Sequence, residues 1–216
     1  MKKRQFKKKN QELRISLGSL VLMLFCVFLL IISTFIKLDV FYPVIPSAQD
    51  GVNGFNIEHF FKTFEIIPQI PAVIFVGAIL GRKLGITAVV FYILIGLFAL
   101  PVFALGGGIK YFSQHGFGYI LAYIPAIWLL TKFLKCGFTF KNIALGSLLA
   151  VLLIHLIGIC YMIIITLINN DGINFIKGWI IYQSGWKILF DYALSFALCY
   201  LTKALSFLLW CYKKPY

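Results

Sequence analysis

Hydrophobic residues fall along this chain in long unbroken runs separated by short polar breaks, which is the pattern of membrane-crossing helices rather than of half-buried faces. The runs are Leu17 to Ile36, Ile66 to Leu80, Leu84 to Leu100, Gly118 to Leu134, Ile143 to Ile168, and Lys187 to Trp210. About 20 apolar residues span a bilayer, so six crossings use most of a 216-residue chain. The expected fold is an all-α membrane protein, a bundle of about six transmembrane helices. The second run is the short one and carries Pro68 and Pro71 in its first turns. Proline costs little there, because the early N–H groups of a helix lack intrahelical partners. Composition agrees: 61% of residues are hydrophobic and 12% charged, too few charges to coat a soluble domain.

The formal charge of +13 raises the question of nucleic acid, and the placement of the cations answers it. With the amino terminus taken as cytoplasmic, Lys2, Lys3, Arg4, Lys7, Lys8, Lys9, Arg14, Arg82, Lys83, Lys132, Lys135, Lys141, Lys203, Lys213 and Lys214 fall inside. Lys37, Lys62, Lys110, Lys177 and Lys187 fall outside, together with Asp39, Asp50, Glu58, Glu65 and Asp171. The charges sort by membrane side, so the expectation is both termini cytoplasmic and no nucleic-acid partner. The organisation is then a basic cytoplasmic tail at 1–14, one six-helix domain at 15–212 and a short basic tail at 213–216, in a multi-pass protein of a bacterial-type inner membrane. The leading KKRQFKKK resembles the charged region of a signal peptide. The apolar run behind it is too long, however, and no small-residue cleavage site follows, so it reads as a retained anchor. Its cations can hold anionic headgroups of membrane lipids, at roughly 1 kcal/mol each.

Several chemistries are excluded or weakened. GAILGRK, Gly77 to Lys83, has neither the spacing nor the Ser/Thr of a phosphate-binding loop, so the chain does not hydrolyse nucleotide by itself. No HExxH occurs, and His59, His115 and His155 have no partner at metal-ligand spacing, so no metal is expected. Cys26, Cys136, Cys160, Cys199 and Cys211 show no paired spacing and read as small apolar residues. Ser113 and His115 share a loop without the context that would activate either as a catalytic pair. No catalytic residue is expected, and the chain is not expected to be an enzyme.

Two constellations remain. Lys187 and Asp191 lie four residues apart at the start of the last run, on one helical face. They read either as an interfacial ion pair with Lys187 reaching outward, or as a site in which Asp191 points into the bundle and holds a polar ligand. His155 is a second polar group at depth, either packed against a carbonyl or lining the same site. Among the glycines, Gly77, Gly81 and Gly85 repeat every four residues, the small-xxx-small pattern of close helix packing. LPVFALGGG, Leu100 to Gly108, ends one helix at Pro101 and places Gly106, Gly107 and Gly108 in an outer loop. That loop is either a connector or a cover that offers amides to a ligand.

GAILGRKLG, LPVFALGGG and HGFGYILAY, followed by an aspartate early in the last run, resemble BioY, the biotin-binding substrate (S) component of energy-coupling-factor transporters. The fit is close from about Gln69 to Tyr123 and looser from there to Asp191. The family pattern LGprlG falls on Leu80 to Gly85, and PvFaGG on Pro101, Val102, Phe103, Ala104 and the glycines after them. The family's GPTGGYL becomes QHGFGYI, in which Gly118 and Tyr119 match and Gln114 to Phe117 depart. Its aspartate falls on Asp191, while the lysine usual three residues later is Leu194; Lys187, one turn earlier, can stand in for it. The resemblance implies a six-helix protein that takes up biotin from the outer side, with a transmembrane coupling protein and two cytoplasmic ATPases as partners. No cofactor is implied, biotin being the transported ligand. Small residues at four-residue spacing, often used in the first helix for docking to the coupling protein, are missing here.

For such a ligand, Asp191 suits the ureido N–H donors, and Gln69, Tyr119 or Gln114 suits the carbonyl. Phe103, Tyr92 or Tyr123 can pack on the rings, and Lys187 or Lys110 can meet the carboxylate at the mouth. The substrate-binding set expected on this basis also includes His155, Gly106, Gly107 and Gly108. Two other readings stay open: an S component for another small vitamin such as thiamine or riboflavin, and an intramembrane enzyme or assembly factor with similar helix packing.

Overall fold

The computed structural model describes residues 17–43 and 61–212. The basic tails at 1–14 and 213–216, and with them Asp50, Glu58 and His59, lie outside the described residues, as does the side chain of Cys211. The described chain is mostly helical: α1 (Leu17–Phe35), a two-stranded hairpin of β1 (Leu38–Pro43) and β2 (Phe61–Ile66), α2 (Gln69–Phe98), a short 3-10 helix (Ile109–Ser113), α3 (Phe117–Leu134), α4 (Phe140–Asn169), α5 (Ile173–Ser184) and α6 (Lys187–Tyr212). Among the described residues five helical stretches are long and apolar enough to cross a membrane, the last, Ile173–Leu205, counted across the break between α5 and α6.

The second and third hydrophobic runs are the two limbs of α2. They are separated at Gly81, whose φ of 71° and ψ of −173° are not helical and belong to a region only glycine enters cheaply. The chain doubles back there. A Cβ on Gly85 would lie 3.3 Å from Gly77 Cα, whereas along one straight helix those residues would be about 12 Å apart. The glycine repeat therefore does two jobs: Gly81 makes the turn, and Gly77 and Gly85 let the limbs touch. Arg82, at the turn, donates from Nε to Thr131 Oγ1 at 3.2 Å and lies 5.1 Å over the Trp128 ring, which ties the turn to α3.

Two elements depart from the sequence expectation. The hairpin pairs Leu38 with Ile66 and Asp39 with Glu65; Lys37 relieves that acidic pair through a 3.1 Å bridge to Glu65. The second is α5, which the apolar runs did not include. Its Asn174, Lys177 and Gln183 interrupt the hydrophobic pattern, and Ser184 is its one buried residue.

The core lies where α2, α3, α4 and α6 converge, with α3 packed most extensively on α4. Several hydroxyls inside the helices bond back to their own backbone, as Thr131 does to Ile127 O at 2.7 Å and Ser147 to Ile143 O at 2.7 Å, which satisfies them without water; Ser195 on α6 is buried without such a bond. Large apolar side chains such as Val21, Phe25, Phe28, Phe98, Leu156, Leu167 and Leu189 point outward. So much exposed apolar surface is compatible with lipid and not with water.

Candidate ligand-binding site

A cavity of 430 Å³ opens at one end of the bundle, where the end of α1, the hairpin, the start of α2, the 99–116 connection, the starts of α3 and α6, and α5 come together. The Gly81 turn and the α3–α4 loop lie at the opposite ends of those helices. Its volume falls within the range of small-molecule sites.

The floor is polar in a way the rest of the bundle is not. Asp191 on α6 is fully buried, and neither carboxylate oxygen receives a hydrogen bond among the described residues. His155 on α4 brings Nε2 to 3.3 Å from Asp191 Oδ2, a contact without hydrogen-bond alignment. Its other nitrogen, Nδ1, is 2.9 Å from Ser184 Oγ, and Ser184 Oγ is 3.0 Å from the Tyr119 hydroxyl. Lys187 sits one turn before Asp191 but places its ammonium on Gln183 Oε1 at 2.8 Å. An acceptor with open lone pairs at this depth is costly unless a donor arrives.

On the α2 side, the Gln69 amide N–H₂ donates to Thr34 Oγ1 at 3.1 Å and to the Tyr92 hydroxyl. Gln69 thereby meets the cavity from the α2 side with its amide nitrogen already engaged. Tyr123 and Ile120 line the α3 wall, and Trp179 and Tyr182 the α5 wall. Trp179 Nε1 is buried beside Tyr119 without an aligned acceptor. At the rim stand Lys37 and Glu65 from the hairpin and Tyr111 from the 3-10 helix; burial raises the Tyr111 phenol above its ordinary range, so it stays a neutral donor.

Of the residues expected from the sequence, Asp191, Lys187, Tyr119, Gln69, Tyr123 and His155 line this cavity together. Tyr92 does not reach it and instead holds Gln69 from behind. Phe103 is buried against Tyr92, Tyr111 and Phe117 and braces the wall that Ala104 and Leu105 present. Gly106 and Gly108, at φ of 113° and 88°, spend their amides inside the loop, on Phe103 O at 3.0 Å and Gly96 O at 2.8 Å. They close the connection rather than offer donors to a ligand, and Gly107 packs against the Gly96 carbonyl and Pro101. Gln114 and Lys110 are exposed outside the cavity. Leu194 is 36% exposed on the outer flank of α6, so the residue at that position does not face Asp191. Ser113 makes no hydrogen bond to His115, which pairs instead with Asp171 at 2.9 Å. Polar lining residues that the sequence did not point to include Thr34, Tyr111, Trp179, Tyr182 and Gln183, together with the charged Lys37 and Glu65 of the rim and the anchor Ser184.

Apolar helices around a deep polar pocket of small-molecule size define the class as a multi-pass membrane protein. A match to the BioY family spans residues 5–209, and the chain belongs to that family. It is 28% identical over 142 residues to the probable biotin transporter BioY of Lysinibacillus sphaericus, an alignment covering 63% of this chain and 71% of that protein. Its fold is similar to a crystal structure of the S-component for biotin from an ECF-type ABC transporter, with a TM-score of 0.62 at 22% identity over 88% of this chain and 90% of that one.

Proposed function

We propose that this protein takes up biotin across the cell membrane as the substrate-binding component of an energy-coupling-factor transporter, capturing it from the outer side. The observation that carries this reading is the buried Asp191 carboxylate with no aligned hydrogen bond on either oxygen, at the floor of a cavity of fitting size in a BioY chain. Biotin's ureido ring carries two N–H donors that point to opposite sides, and a buried acceptor such as Asp191 is the complement of one of them. Gln69 and the Tyr119 hydroxyl lie in the same cavity for the remaining polar atoms. Tyr123, Trp179 and Tyr182 offer ring faces to the bicycle and its aliphatic tail. Lys187 and Lys37 stand nearer the rim, where a carboxylate at the end of that tail would emerge.

In this reading the two limbs of α2 enter the membrane as a fold-back pair, the first short of its full thickness, and with α1, α3, α4 and α6 make six membrane-embedded helices, both termini being cytoplasmic. The cation distribution supports that orientation: Arg82, Lys83, Lys132 and Lys135 gather at the end away from the cavity. The protein is a transport component and not an enzyme. Energy for release would come from a coupling protein and two ATPases, in keeping with the lack of a phosphate-binding loop in this chain.

Binding of labelled biotin to the purified protein tests the reading, with thiamine and riboflavin as competitors. Unlabelled biotin should displace the label and the other two should not. Asp191→Asn replaces one acceptor by a donor facing the ligand's own donor, and should weaken binding by at least about tenfold, the scale of one lost charged hydrogen bond. Unchanged affinity in that variant would remove the carboxylate from the site.

A further inference from the structure

We propose that Tyr119, Ser184 and His155 form a directional hydrogen-bond chain that orients Asp191 for its ligand, with His155 and Ser184 as positioning residues. The inference rests on Asp191 being the carboxylate that meets a ligand N–H.

The direction follows from counting protons. Ser184 Oγ sits between Tyr119 Oη at 3.0 Å and His155 Nδ1 at 2.9 Å, and a hydroxyl has one proton to give. For an imidazole carrying one proton, two tautomers satisfy both contacts. In one, His155 Nδ1–H donates to Ser184, whose contact with the Tyr119 hydroxyl can run either way; the lone pair of Nε2 then faces the carboxylate oxygen at 3.3 Å, acceptor against acceptor in a buried place. In the other, Tyr119 donates to Ser184, Ser184 donates to Nδ1, and Nε2 carries the proton toward Asp191. The second replaces a repulsion by an attraction, so the carboxylate selects it.

The remaining groups around Asp191 do not take over this role. Lys187 on α6 commits its ammonium to Gln183, Glu65 on β2 faces Lys37 and the rim, and Tyr123 on α3 brings a neutral phenol. The off-line approach of Nε2 has a further effect. It holds the carboxylate electrostatically from the Oδ2 side without an aligned hydrogen bond, so the carboxylate keeps acceptor capacity for a ligand N–H. Ser184 comes from α5, the element that walls the cavity, so the same chain fastens that wall to the floor.

The test compares two amide substitutions. The Gln amide nitrogen falls near the place of Nε2 and the Asn nitrogen near that of Nδ1. Biotin affinity of the purified full-length protein should fall by about tenfold or more in His155→Asn, and His155→Gln should recover most of that loss. Ser184→Ala should weaken binding roughly three- to tenfold when His155 is present, and cause no further loss in the His155→Gln background, where no tautomer is left to select. Equal losses in the Asn and Gln variants, or an identical Ser184→Ala effect in both backgrounds, would overturn the chain. Should His155→Asn prove polydisperse on size exclusion, the two-background Ser184→Ala comparison decides alone. A wild-type protein that binds no biotin sinks the functional reading itself, and is told apart by being seen before any substitution is made.

Discussion

At the scale of single residues, the cavity is defined as much by atoms left out as by side chains put in. Gly158 on α4 lies flat against the Tyr119 ring: a Cβ there would stand 2.5 Å from ring carbons. Alanine must push that ring toward the cavity and off Ser184, an overpacking that costs about 1–3 kcal/mol in a close-packed interior. Gly158→Ala should therefore weaken biotin binding by about tenfold while the protein still purifies as a folded species, as binding and size-exclusion measurements would show. Lys187, Asp191 and His155 stood out in the sequence because ionisable groups inside apolar runs are rare, although an interfacial ion pair and a packed histidine explained them equally well there; the structure brings all three to the cavity. Ser184, Trp179 and Thr34 were not legible, since a neutral polar side chain in a membrane helix usually bonds its own backbone, as Ser147 does.

Among the elements, the long helices were readable to within a few residues, because hydrocarbon permits little else over a run of that length. The hairpin was not, its strands being short and separated by residues 44–60, so that no local pattern announces the pairing. The broken α2 shows what a spaced glycine repeat can mean beyond packing. Gly81 has open space around it, with nothing within 4 Å of a built Cβ, so Gly81→Ala isolates the backbone conformation. It should destabilise the protein by about 1–3 kcal/mol, seen as a lower unfolding temperature in detergent. An unchanged transition would mean the turn tolerates another backbone geometry.

For the whole molecule, orientation is the property that turns a pocket into an uptake site. Lys110 lies in the connection on the cavity side, and Lys135 at the end of α3 on the other side. With native cysteines replaced by serine, Lys110→Cys should react with a membrane-impermeant maleimide in intact cells, and Lys135→Cys only after permeabilisation. The reverse pattern would turn the protein over. Charge placement along the chain carried this expectation, whereas no single helix could. The fold-back at Gly81 also bears on how the protein is made. Residues 69–80 extend about 18 Å at 1.5 Å per residue, against roughly 30 Å of hydrocarbon, and they end at Arg82 and Lys83. A segment that short makes a poor substrate for the insertion machinery on its own. It should be held until residues 82–98 emerge from the ribosome and then enter with them as a pair, so biogenesis of this half of the protein proceeds by hairpin rather than helix by helix.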